Sequence, residues 1–411
     1  MASTHWRRNP AAIGTLLGVA CLVTSSTGVI SVAASLLPPP PTTSGPPPAA
    51  PAAATPAPPP SGGAATASGP PACNNLAVIA SWSLPRRAAQ LVVVPAAETD
   101  VAAVAPSVEA GAGGVVLFGT AAPSDLGSQL RALAALDAGG PRPLVMTDEE
   151  GGGVQRVSNL VGSLPWPATM SATMTPAAVR ELAETVAEGM AATGITMDLA
   201  PVLDLAAGPG PDAGHIDGPR SFGPAPQTAT SYGLAFAEGL EAGGVTPVIK
   251  HFPGEGGATA NTDDAPASTP PLTTLEAADL QPFEAAIGAG LPAVMVGDAS
   301  VPGLSPGPAS LSPAAITGLL RRQLGFEGLV LTDSLSAKAI SDLGIDVPEA
   351  SVDAVAAGAD MLLYNSTTPN LTFQQVVEAL VAAVSDGQVP TMTLDTAVMQ
   401  VLAAKGVNLC A

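Results

Sequence analysis

The chain is 411 residues long and carries 14 Lys and Arg against 34 Asp and Glu, a formal net charge of −20. So few cations, with no basic cluster, exclude nucleic acid as a partner, because binding it requires neutralised phosphates. Aromatic residues make up 3% of the sequence, which leaves few stacking platforms for an extended polymer with flat faces.

The amino terminus differs in kind from the rest: no Asp, Glu, Lys or Arg occurs between Arg8 and Arg86. Arg7 and Arg8 precede an apolar run reaching Leu37, the order of an export segment, so residues 1–37 are expected to be an export signal or membrane anchor. Three fates stay open. The small residues Ser31, Val32 and Ala33 offer a cleavage site, Cys21 behind Gly18, Val19 and Ala20 offers an imperfect lipid-attachment box, and the run is long enough to span a bilayer uncut. Residues 38–72 are almost wholly Pro, Ala, Ser, Thr and Gly, a composition that cannot bury a core and reads as a disordered spacer across a cell envelope. The expected location is therefore the envelope or the exterior, with a possible membrane tether through the first segment.

Residues 73–411 form the folded part, a monomer by expectation. Cys73 and Cys410 stand at its two ends, and in an oxidising compartment this invites a disulfide; two unrelated thiols are the alternative. Short β-branched runs recur at 90–95, 114–119, 143–148, 195–204, 245–251, 293–298, 328–333 and 361–365. Helical patterns lie between them at 124–137, 227–241, 312–323 and 373–385. The best punctuated has Thr175 as cap, Pro176 in the first turn, Val179, Leu182, Val186 and Met190 on one face, and Gly194 at its end. Strands alternating with helices imply a parallel sheet covered on both faces.

Polar residues decide between an open sheet and a barrel. Asp148, Asp204, Lys250, His251, Asp298, Asp333 and Asn365 fall at or just past the carboxyl ends of different runs. In a closed (β/α)8 barrel of TIM type those ends converge on one mouth, where barrel enzymes keep their chemistry. Each alone could simply end its strand in solvent. That explanation fails for Lys250, one of three lysines, standing beside one of three histidines after an apolar strand.

The run Thr147-Asp148-Glu149-Glu150-Gly151-Gly152-Gly153-Val154-Gln155-Arg156 is followed in order by Pro201-Val202-Leu203-Asp204-Leu205, Arg220-Ser221-Phe222-Gly223, Lys250-His251-Phe252-Pro253-Gly254 and Leu331-Thr332-Asp333-Ser334-Leu335. Together they resemble the signature of glycoside hydrolase family 3, in its β-N-acetylglucosaminidase branch, of an exported, lipoprotein-like type. Retaining hydrolysis of a glycoside needs a carboxylate to attack the anomeric carbon and a proton donor for the departing oxygen. Asp333, beside the neutral Ser334, suits the attack, and the resemblance implies the same role. Its alternative is a helix N-cap for residues 335–340. Asp148, Arg156, Arg220, Lys250 and His251 supply the charged donors and acceptors that fix sugar hydroxyls; at matching positions the family grips N-acetylglucosamine. Arg156 and Arg220 could equally form ion pairs with Asp148 or Asp204, and Asp204 itself reads as structural.

The sequence also departs from that branch. Its acid/base pair, an Asp and a His two residues apart, corresponds here to Asn261 and Asp263; a loop His is replaced by Glu255, a His after the sixth strand by Asp298, and an Arg in the first motif by Gly153. A carboxylic acid whose pKa is raised can take over protonation, so Asp263 is the expected proton donor, with Glu255 or Asp264 as helpers or substitutes. Two outcomes stay open: a glycoside hydrolase releasing terminal β-linked N-acetylglucosamine from cell-wall fragments, or an impaired envelope protein that binds muropeptide-like sugars. A pure scaffold would do neither. His215 reads as a loop residue. The glycines at 151–153 lack the context of a phosphate loop, no cofactor is expected, and no Cys and His spacing suggests a metal.

Overall fold

All eight apolar runs become strands of a single parallel sheet. They are β1 Val93–Ala97, β2 Gly114–Phe118, β3 Leu144–Thr147, β4 Met197–Asp198, β5 Thr246–Phe252, β6 Ala293–Val296, β7 Leu329–Ser334 and β8 Met361–Leu363, hydrogen-bonded in sequence order. A parallel bridge between Val92 and Leu362 brings the last strand against the first. The sheet of this computed structural model, which describes residues 75–136, 140–206 and 216–410, is thus a (β/α)8 barrel. The export segment, the spacer, Cys73 and His215 lie outside the described residues. No helix among the described residues is long and apolar enough to cross a membrane.

Helix punctuation follows the local chemistry. Thr175 Oγ1 accepts from Ala178 N at 3.2 Å, Pro176–Thr193 is helical, and Gly194 ends it at φ +98°. That left-handed conformation costs least without a Cβ. The fourth strand is shorter than the run at 195–204 suggests. Pro201 donates no hydrogen bond, and the chain beyond Asp198 continues only as irregular pairing in which Pro201 O accepts from Lys250 N at 3.1 Å and Leu203 N donates to Lys250 O at 2.7 Å. The helix Ala314–Gln323 is wound wide, with Gly318 N donating to Pro313 O and Leu324 N to Leu319 O.

Two apolar cores result. Inside the barrel, alternate strand residues such as Val93, Met146, Val248, Met295 and Leu331 form one buried cluster. Between sheet and helices a larger cluster includes Val94, Leu117, Ile249, Val294 and Val330, the residues of opposite parity. Val401 of the helix Thr391–Ala404 joins the inner cluster, so this last helix plugs the foot of the barrel. At the other end, the carboxyl ends of the strands border a cavity.

Candidate active site

Strand alternation explains which polar side chains face inward at the mouth. Leu144 and Met146 point into the barrel and Asp148 follows two residues on; Val248 precedes Lys250, and Leu329 and Leu331 precede Asp333 in the same way. These three line a cavity of about 550 Å³ together with Arg156, Arg220, His251, Glu255 and Asp263. The size suits a small ligand. Of the strand-end and loop candidates, Asp204, Asp298 and Asp264 do not line this cavity; Asp204 and Asp298 are buried, and Asp264 is exposed.

The floor is an ion-pair network. Lys250 Nζ lies 3.0 Å from Asp148 Oδ1 and 2.6 Å from Glu150 Oε1. Arg220 grips Glu150 through Nε and Nη2, both at 2.7 Å, and reaches Asp217 Oδ1 with Nη1 at 3.0 Å. Burial alone would raise the Glu150 carboxyl, but Arg220 and Lys250 outweigh it and hold Glu150 far below the usual carboxylate range. Burial works against the Lys250 charge too, and Glu150 and Asp148 reverse it. The site thus carries fixed charges, already oriented. Arg220 pairs with Glu150 and Asp217 and not with Asp204, whereas Arg156 does approach Asp148, at 3.4 Å.

Arg156 is placed by a small hairpin of Glu149–Gly151 and Val154–Gln155. Glu149 is buried and organises it: Oε1 accepts from the backbone N–H of Arg156 and of Val157, each at 2.5 Å, and Oε2 accepts from Gln155 Nε2 at 3.0 Å. At Gly152, φ is +58° and a Cβ would lie 1.9 Å from the Trp166 ring, so no other residue fits. A Cβ on Gly153 would stand 3.0 Å from the same ring, which shows what occupies the place of a longer side chain there.

Asp204 is a positioning residue. Its Oδ2 accepts from His251 N at 3.0 Å and from His251 Nδ1 at 2.6 Å, and Oδ1 accepts from Glu255 N at 2.7 Å. Burial raises its carboxyl to about 6, against the lowering by those N–H groups. Since a carboxylate can only accept, the imidazole proton sits on Nδ1 and leaves Nε2 available to the cavity. Burial pushes His251 down, which keeps the ring neutral.

The loop after β5 supplies two further carboxyls. Glu255 is buried, its Oε1 accepts from Ala299 N at 2.7 Å, and burial together with Asp333, Asp204 and Asp298 pushes its carboxyl well above the usual range. Asp263 stands on the solvent side; burial, Asp264 and Asp148 raise it while Arg220 opposes. Ala339 N donates to Thr262 O at 2.9 Å, fastening this loop to the segment after β7. Asp333 Oδ1 accepts from Ser334 N at 2.7 Å and caps no helix, the next one being Lys338–Ser341. Asp298 is buried behind the cavity and bonds Ser310 Oγ. Glu150 and Asp217 escaped the sequence reading. Glu150 was findable, since it follows Asp148 in the richest acidic motif; Asp217 has no sequence signal beyond its nearness to Arg220.

A family model described as the glycosyl hydrolase family 3 N terminal domain matches residues 83–404. The chain is 38% identical over 348 residues to the beta-hexosaminidase LpqI of Mycobacterium tuberculosis, covering 82% of this chain and 87% of that one. The solved structure of M. tuberculosis LpqI superposes with a TM-score of 0.73 at 35% identity, over 82% of this chain and 98% of the other. The crystal structure of a beta-N-acetylhexosaminidase from Beutenbergia cavernae gives 0.72 at 35% identity, over 80% and 100%.

Proposed function

Because the chain belongs to glycosyl hydrolase family 3, we propose that this glycoside hydrolase is a retaining, exo-acting β-N-acetylhexosaminidase that removes terminal β-linked N-acetylglucosamine from short cell-wall-type saccharides. One observation carries the reading: Asp333, the charged grip of Asp148, Arg156, Arg220, Lys250 and His251, and the loop acid Asp263 share a single cavity. The names of the similar proteins, beta-hexosaminidases, support the choice of sugar.

The Asp333 carboxylate attacks the anomeric carbon as the bond to the departing oxygen breaks, and Asp263 gives its proton to that oxygen. The ionised Asp263 then takes a proton from water, the resulting nucleophile attacks the same carbon, and Asp333 leaves as carboxylate. Lys250 and Arg220, fixed on Glu150 before any substrate arrives, hold hydroxyls without reorganising, which is where electrostatic catalysis gains most. Export through residues 1–37, with the enzyme working outside the membrane, belongs to the same proposal.

Asp333→Asn is expected to reduce release of an aryl N-acetylglucosaminide to background; near-normal turnover would remove Asp333 from its role. A second reading, an envelope protein that binds such sugars with little turnover, draws on Asn261 and on the exposure of Asp263, since a general acid works best desolvated. Calorimetric sugar binding without detectable cleavage by the unaltered chain would favour it.

A further inference from the structure

Asp204, Asp217 and His251 come from three separate segments and meet beside the cavity. A ligand-type atom of each lies within 4.8 Å of the other two, and all three residues are buried. Arg220 Nη1 engages Asp217 through Oδ1. The other oxygen, Oδ2, has no hydrogen-bond partner although the side chain is only 1% exposed. The neighbouring cations are engaged elsewhere, Arg220 through two nitrogens on Glu150 and Lys250 on Asp148 and Glu150. Asp217 therefore meets Arg220 with one oxygen only, and its second, buried oxygen is left without a donor.

We propose that Asp204, Asp217 and His251 form a binding site for a divalent transition cation of the zinc type. One imidazole nitrogen and two carboxylate oxygens are a donor set such an ion accepts, and three protein ligands leave a fourth position open. Asp217 and His251 line the cavity, so that position faces incoming water or substrate. Two carboxylates balance the charge of the ion. On loading, the cation takes the place of the proton that His251 Nδ1 shares with Asp204, and the imidazole carries its proton on Nε2 instead. The spacing of these residues along the chain has no metal signature, which is why sequence alone gives no hint of the site. A loaded ion would draw His251 away from sugar hydroxyls and slow hydrolysis, but the proposal does not depend on which glycoside is cleaved.

The test uses the full chain, stripped with a chelator and titrated with zinc chloride by calorimetry. Saturable binding of one ion is expected, weakened more than about tenfold by Asp217→Asn and unchanged by Asp264→Asn, which lies outside the cavity. No binding, or binding indifferent to Asp217→Asn, would overturn the proposal. Cobalt chloride provides a readout that needs no variant: intense visible bands of a four-coordinate nitrogen and oxygen site are expected. Weak six-coordinate bands, or a near-ultraviolet thiolate band assigning the metal to cysteine, would overturn it as well.

Discussion

Asp263 is the proton donor of the proposed reaction, and its surroundings set a pH dependence. A general acid must hold its proton; burial and two neighbouring carboxylates raise the Asp263 carboxyl, with Arg220 opposing. Turnover should therefore fall as pH rises through that elevated value, and Asp263→Ala should flatten this alkaline limb. The same variant should slow a substrate with a poor leaving group far more than an activated aryl glycoside, because the activated one needs little protonation. Equal slowing of both would rule out Asp263 as the acid. Much at this scale was readable beforehand: Asp148, Lys250 and Asp333 each continue the inward parity of an apolar strand. The partners that fix them were not, since Glu150 meets Arg220 and Lys250 only after distant segments fold together.

At the level of elements, the helices Pro176–Thr193 and Pro226–Ala242 approach each other through glycine. A Cβ on Gly239 would lie 2.4 Å from Arg180 O and 2.8 Å from Ala183 Cβ. Helix propensity favours alanine over glycine by about 0.8–1.0 kcal/mol, whereas forcing extra volume into a packed interface costs about 1–3 kcal/mol. The clash is with backbone, which gives little, so Gly239→Ala should lower stability in denaturant unfolding. Gly288→Ala, at the end of the helix Leu280–Gly288 with nothing within 4 Å of the added carbon, should leave stability unchanged or slightly raised. Helix boundaries marked by Thr175 and Gly194 were legible because caps are local chemistry. The break in β4 and the plugging helix Thr391–Ala404 were not: one depends on how Pro201 meets β5, the other on a barrel foot assembled from all eight strands.

For the whole molecule, the closed sheet turns scattered strand ends into one mouth, which is why a fold inferred from alternating runs also brings the candidate residues to one cavity. The chain ends of the described part meet as well. Leu409 N donates to Asn75 Oδ1 at 3.1 Å, and this proximity supports the proposed bridge between Cys410 and Cys73, the latter outside the described residues. Mass analysis of the unreduced full chain, produced in an oxidising compartment, should find the two joined, and replacing both with Ser should cost about 2–4 kcal/mol of stability; two free thiols would refute the bridge. Lys405 Nζ, just past the plugging helix, bonds Gln90 Oε1 ahead of β1, so entry and exit both lie at the foot. A resin bead or a fused reporter joined at either end of residues 75–410 would occupy the pole opposite the catalytic opening, and diffusing saccharides would keep an unobstructed approach.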